Sequence, residues 1–79
     1  MPFKWKVENT VFDSLHEADV WADSIGNEMF AKLYDGYDTP DYQIAAFLAF
    51  RLAEMNEFRV LTQSTIGEPV RYQVWVVPL

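Results

Sequence analysis

Phe3, Trp5 and Val7 alternate with Lys4, Lys6 and Glu8, the period-two pattern of a strand with one apolar face. A first strand is predicted there, with the three apolar residues buried. Ser14-Leu15-His16-Glu17 then has the form of a capping box, in which the serine hydroxyl and the glutamate carboxylate each satisfy an unpaired amide of a first helical turn. Leu15, Ala18, Ala22, Ile25, Met29 and Leu33 recur at three- and four-residue steps and form one apolar stripe, bordered by Trp21. This first helix is read as stopping at Gly36. Asp38-Thr39-Pro40 offers a second start, with Thr39 as N-cap and Pro40 at the first helical position, where its missing amide donor costs nothing.

The second helix is predicted to run to about Asn56 and is apolar almost all round. Ile44, Phe47, Leu48, Leu52 and Met55 cover one side, and Ala45, Ala46, Ala49 and Ala53 leave a side of small residues. Such a helix is buried on two faces: its large side meets a sheet, and its alanine side admits the first helix or faces a second copy of the chain. Phe58, Val60 and Thr62 alternate with Arg59, Leu61 and Gln63. Beyond Gly67-Glu68-Pro69, Val70, Tyr72, Val74 and Val76 alternate with Arg71, Gln73, Trp75 and Val77, so these two runs read as a hairpin. The predicted fold is α+β, a two-layer β-α-α-β-β arrangement in which a three-stranded antiparallel sheet packs against a helical hairpin. The pattern leaves the strand order open.

Composition bounds this picture. The 79 residues are read as one small domain, 1–79, with no repeat or linker. Cysteine is absent, so stability must come from packing or association, and thirteen aromatic residues supply the means. The first ten residues have no signal-peptide core, and the longest apolar run, Ile44 to Phe50, falls far short of the roughly 20 residues needed to span a bilayer. A cytoplasmic chain with no membrane partner is expected.

Charge changes the picture most. Nine of the twelve acids lie between Glu8 and Asp41, where Lys32 is the only base, while the remainder holds three acids and five bases. The net charge of -6 therefore hides two parts of opposite sign. On a helical projection, His16, Asp19, Asp23, Asn27, Phe30 and Tyr34 fall opposite Leu15, Ile25 and Met29. Asp19 and Asp23 stand about 6 Å apart along the axis, comparable with successive phosphates of one nucleic-acid strand. Like charges at that spacing cost a helix roughly 0.2 to 0.5 kcal/mol. Asp35, Asp38 and Asp41 are read as gathering in the turn beyond, completing an anionic surface. The alternative account is a solvated face that keeps an aromatic-rich protein soluble.

The sheet face away from the helices is expected to carry Lys4, Lys6, Arg59, Arg71 and Trp75. Bases interleaved with an aromatic are raw material for a single-strand nucleic-acid platform, but one tryptophan is sparse and the whole molecule repels polyanions. Catalysis finds little support. His16 is the only histidine, Ser14 is explained by capping, and no nucleophile elbow is present. Asp35-Gly36-Tyr37-Asp38 lacks the ligand spacing of a calcium loop. No catalytic, metal-binding or cofactor-binding residue is assigned.

The expected function is a non-enzymatic binding or inhibitor protein that docks a carboxylate face on a basic, nucleic-acid-handling protein or complex, mimicking nucleic acid rather than binding it. Asp19, Asp23, Glu28, Asp35, Asp38 and Asp41 would stand in for phosphates, with Phe30, Tyr34 and Tyr37 as desolvated anchors. In size and charge alone the chain is similar to phage-encoded anti-CRISPR inhibitors, nuclease immunity proteins and antitoxins; no motif carries that likeness. The alternative is a small homo-oligomeric structural or assembly protein, dimeric through the second helix or the outer sheet face, whose acidity serves solubility.

Overall fold

The computed structural model describes residues 3–78. Its elements are β1 (Trp5–Val7), α1 (Leu15–Phe30), β2 (Gly36–Thr39), α2 (Tyr42–Ala53), β3 (Phe58–Ser64) and β4 (Tyr72–Pro78). The α+β class stands as the pattern predicts, but the sheet is four-stranded and mixed, in the order β1-β2-β4-β3. β1 and β2 run parallel, whereas β2–β4 and β3–β4 are antiparallel. The strand missed in the sequence is β2, Gly36-Tyr37-Asp38-Thr39. Glycine and aspartate are depleted in strands, so these four residues read as a turn, yet pairing on both sides fixes them in the sheet interior. A parallel β1–β2 pair makes α1 a crossover helix rather than the first arm of a helical hairpin.

α1 differs from the pattern's reading at its end, and α2 at both ends. Ser14 is the N-cap of α1, its hydroxyl accepting from the Glu17 amide at 3.2 Å, as the capping box implies. The helix ends at Phe30, well before Gly36. There Lys32 takes a left-handed conformation (φ 65°), and the Leu33 amide reaches back to the Glu28 carbonyl at 3.0 Å. This six-to-one closure usually calls for glycine, so a lysine in the role leaves no mark in the sequence. α2 is capped by Asp41, not Thr39, and ends at Ala53 rather than near Asn56. Thr39 supports the cap, its Oγ1 accepting from the Asp41 amide at 3.0 Å.

Ala18, Ala22, Ile25 and Met29 of α1, Ile44, Ala45, Leu48 and Leu52 of α2, and Tyr37, Val74 and Val76 from the sheet form one core. Burying side chains the size of Ile25, Leu48 or Leu52 stabilises the fold by roughly 1.5–3 kcal/mol each. Close approach of the helices relies on the small residues of α1. A Cβ at Gly26 would stand 3.7 Å from Leu48 Cδ1, ordinary contact across the seam. Ala46 and Ala49 of α2 line a surface cleft instead of the helix contact. Leu15 and Leu33, read as ends of the buried stripe, are exposed.

Register assigns the two faces of the sheet. Tyr37, Val74 and Val76 point to the helices, so Trp5, Gly36, Trp75 and Leu61, which lie side by side across the four strands, share the outer face. Phe3, Trp5 and Val7, expected inside, are therefore exposed. The strand lies where the alternation places it, with its apolar side turned outward instead of inward. Gly36 is needed for this arrangement, since a Cβ there would lie 2.6 Å from the Trp5 ring. The Trp5 ring in turn stands 6.0 Å from Trp75 and 5.0 Å from Phe3.

Candidate functional site

The two central aspartates of the expected surface are brought together as predicted, but not left free. Arg51, in the last turn of α2, reaches across to α1 and places one terminal nitrogen 2.8 Å from Asp19 Oδ1 and the other 3.0 Å from Asp23 Oδ1. The hydrogen bond that Arg51 donates to Asp19, with the field of Asp23 added, raises the guanidinium above its ordinary pKa. Each carboxylate touches Arg51 through a single oxygen, and the two side chains keep 48% and 58% of their exposure. The clamp therefore holds two carboxylates in place while leaving the trio with one net negative charge. Sequence reasoning missed it because Arg51 lies some thirty positions downstream, with no local signal of its target.

The other expected residues disperse. Glu28 pairs with Lys6 Nζ at 3.1 Å, and the same ammonium stands 5.1 Å from the centre of the Tyr34 ring. Burial lowers the Lys6 pKa, but the Glu28 hydrogen bond and field outweigh it, and the net direction is upward. Lys6 thus lies on the helix side of the sheet rather than on the outer face assigned to it from the sequence. Asp35 accepts from the Lys4 amide at 2.9 Å. Phe30 is exposed, with its ring edge-on to Phe58 at 6.3 Å.

Asp38, Tyr37 and Asp41 require correction as surface contacts. Asp38 lies on the outer sheet face, where its carboxylate binds Arg71 Nε and accepts from Gln73 Nε2 at 2.9 Å. Tyr37 and Asp41 each retain only 2% exposure and belong to the interior. Period-two inheritance from β2 turns Tyr37 inward, and helix capping withdraws Asp41. Neither can meet a partner without unfolding.

Burial, assisted by the negative field of Glu8, pushes the Tyr37 phenol up from 10.0 to about 12. A group whose folded pKa lies above its unfolded one supports the fold below the unfolded value and loses that contribution as pH rises through the folded value. Stability is therefore expected to fall between about pH 10 and pH 12. Denaturation midpoints across that range should show a smaller fall in Tyr37→Phe than in the parent; equal falls would assign the alkaline loss elsewhere.

Among the described residues, no three of His, Cys, Asp and Glu converge as a metal site, and no helix is long and apolar enough to cross a membrane. His16 is exposed at the start of α1. Of the acidic segment, Asp13, Glu17 and Asp23 are exposed and Asp19 is half-buried, but it is Asp19 and Asp23, one turn apart and joined through Arg51, that share a face of α1; Glu17, two positions before Asp19, points to another side. The chain matches no protein-family model, no curated protein and no solved structure.

Proposed function

We propose that the protein is a non-enzymatic binding protein that acts by occupancy, setting the carboxylates of α1 against a basic surface of a nucleic-acid-handling protein. The observation that carries this reading is the Arg51 clamp. Two carboxylates one helical turn apart are fixed before any partner arrives, and each has an oxygen not used by Arg51. Fixing side chains in advance lowers the ordering cost of association, which for short aspartates falls at or below the low end of the about 0.5–1.5 kcal/mol of a rotamer-rich side chain. The contact surface narrows to Asp19 and Asp23, with the summed negative field of the molecule steering a cationic partner. Glu28 and Asp38 serve internal pairs, and Tyr37 and Asp41 serve the core.

The test is capture of basic nucleic-acid-binding proteins on the immobilised chain at low and moderate salt, comparing the parent with the double variant Asp19→Asn/Asp23→Asn. Asparagine keeps the side-chain shape and avoids crowding Arg51 with new cations. Capture is expected to be released by salt and to weaken at least about tenfold in the variant, or about 1.4 kcal/mol. Undiminished capture by a folded variant would remove α1 from the interface.

The second reading, a homo-oligomeric assembly protein whose acidity serves solubility, is favoured by a different observation. Phe50 on α2 is 74% exposed, and Tyr42 stands exposed on the same helix.

A further inference from the structure

β3 pairs with β4 on one side only, and its other edge is open along all seven residues from Phe58 to Ser64. Alternate amides and carbonyls along such an edge point away from the sheet and form a template for another strand. Beside it, on the helix side, lies a cleft of about 410 Å³ between α2 and the ends of β3 and β4. Tyr42, Ala46, Ala49 and Phe50 line it from the helix, and Thr62 and Ser64 from the strand. None of these residues is charged. A basic partner would find no carboxylate here, and Arg59 is the single charged residue of β3.

The outer face supplies the complementary argument. Asp38 Oδ2 accepts from Gln73 Nε2, and Gln73 Oε1 accepts from Gln63 Nε2, so a hydrogen-bonded ladder crosses β2, β4 and β3. It ends at the open edge on Gln63 Oε1, an acceptor with no partner among the described residues. Arg59 shares the strand and the face, and it makes no ion pair or side-chain hydrogen bond among the described residues. One unfilled acceptor and one unfilled donor thus stand two residues either side of Leu61.

We propose that the partner of this edge is a second copy of the chain, with β3 antiparallel to β3 about a two-fold axis through Leu61. In that register each Arg59 lies opposite Gln63 of the other copy, so both ladders end on a guanidinium. Moving the axis to Val60 or Thr62 would set Arg59 opposite Leu61 or Thr65 and lose both contacts. The two Leu61 side chains meet at the axis and continue the row of Trp5 and Trp75 from one copy into the next. On the helix side, Val60 faces Thr62 and Phe58 faces Ser64, and the two α2 helices approach across the axis with Phe50 between them. No like charges oppose each other along the paired strands. The result is an isologous dimer with one eight-stranded sheet.

Sedimentation of the full chain from micromolar to millimolar concentration tests this directly. A monomer–dimer equilibrium is expected, and Leu61→Lys, which sets two ammonium groups face to face at an outward position, should abolish it while leaving circular dichroism native. The chain has no cysteine, so Leu61→Cys provides a second readout. Under mild oxidation it should form a covalent dimer at least about tenfold faster than Ile66→Cys, whose site lies exposed in the β3–β4 loop. A monomer throughout the range overturns the proposal, as does a dimer that folded Leu61→Lys leaves intact. Asp19→Asn/Asp23→Asn should not alter the dimer, so this result stands apart from the partner reading of α1.

Discussion

Replacing Asp41 with alanine is expected to lower stability by about 3 kcal/mol, a large share of the roughly 4–12 kcal/mol available to a chain of this length. The magnitude follows from three amides served by one buried carboxylate. Oδ1 accepts from Gln43 at 2.8 Å and Ile44 at 3.3 Å at the start of α2, and Oδ2 accepts from Phe12 at 2.7 Å in the segment before α1. Loss of the cap alone costs about 1 kcal/mol. The Phe12 amide then loses its acceptor in a half-buried place, adding a desolvation cost of about 1–3 kcal/mol. Asp41→Asn keeps one carbonyl oxygen for the cap and should lose less than half as much. Urea denaturation of the three proteins measures the difference, and a loss below about 1 kcal/mol for the alanine variant would show that water replaces the carboxylate.

Arg71→Ala is expected to cost about 2 kcal/mol, and Arg71→Lys to recover little of it. The guanidinium binds the Asp38 carboxylate through Nε, Asn9 Oδ1 through Nη1 at 3.0 Å, and the Glu8 carbonyl through Nη2 at 2.7 Å. It thereby ties the residues after β1 and the end of β2 to the start of β4. A lysine offers a point charge that can serve Asp38 but cannot span the fork. The pair is only partly buried, which holds the figure below that of a fully desolvated ion pair. Hydrogen exchange should locate the loss: the Glu8 amide, which donates to the Asp38 carbonyl at 2.9 Å, should lose protection before amides of the β3–β4 hairpin. Uniform loss across the sheet would contradict a local tie.

These two side chains also mark where the sequence was legible and where it was not. The hairpin faces, the start of α1 at Ser14 and the α+β class follow from local periodicity and capping, interactions spanning a few residues. β2 was hidden because pairing on both sides overrides the weak strand preference of Gly36 and Asp38. That one strand changed the meaning of the acidic segment. It turned Tyr37 inward, set Asp38 beside Arg71, and moved the start of α2 onto Asp41. Charge counting along the chain could not foresee that Lys6, Arg51 and Arg71 each cross the fold to an acid. The alternation at Phe3, Trp5 and Val7 showed a two-sided strand but carried no information on which side is covered, because that is set by its register with β2, which puts Lys6 in line with the inward Tyr37 and within reach of Glu28.

The two margins of the sheet are unequal: β1 offers three residues and β3 seven. Joining two long margins back to back leaves only short ones facing outward. Growth by strand addition would then stop after a single step, and the same hydrogen-bonding row that draws two copies together would be consumed in doing so, giving a closed pair in place of a fibre.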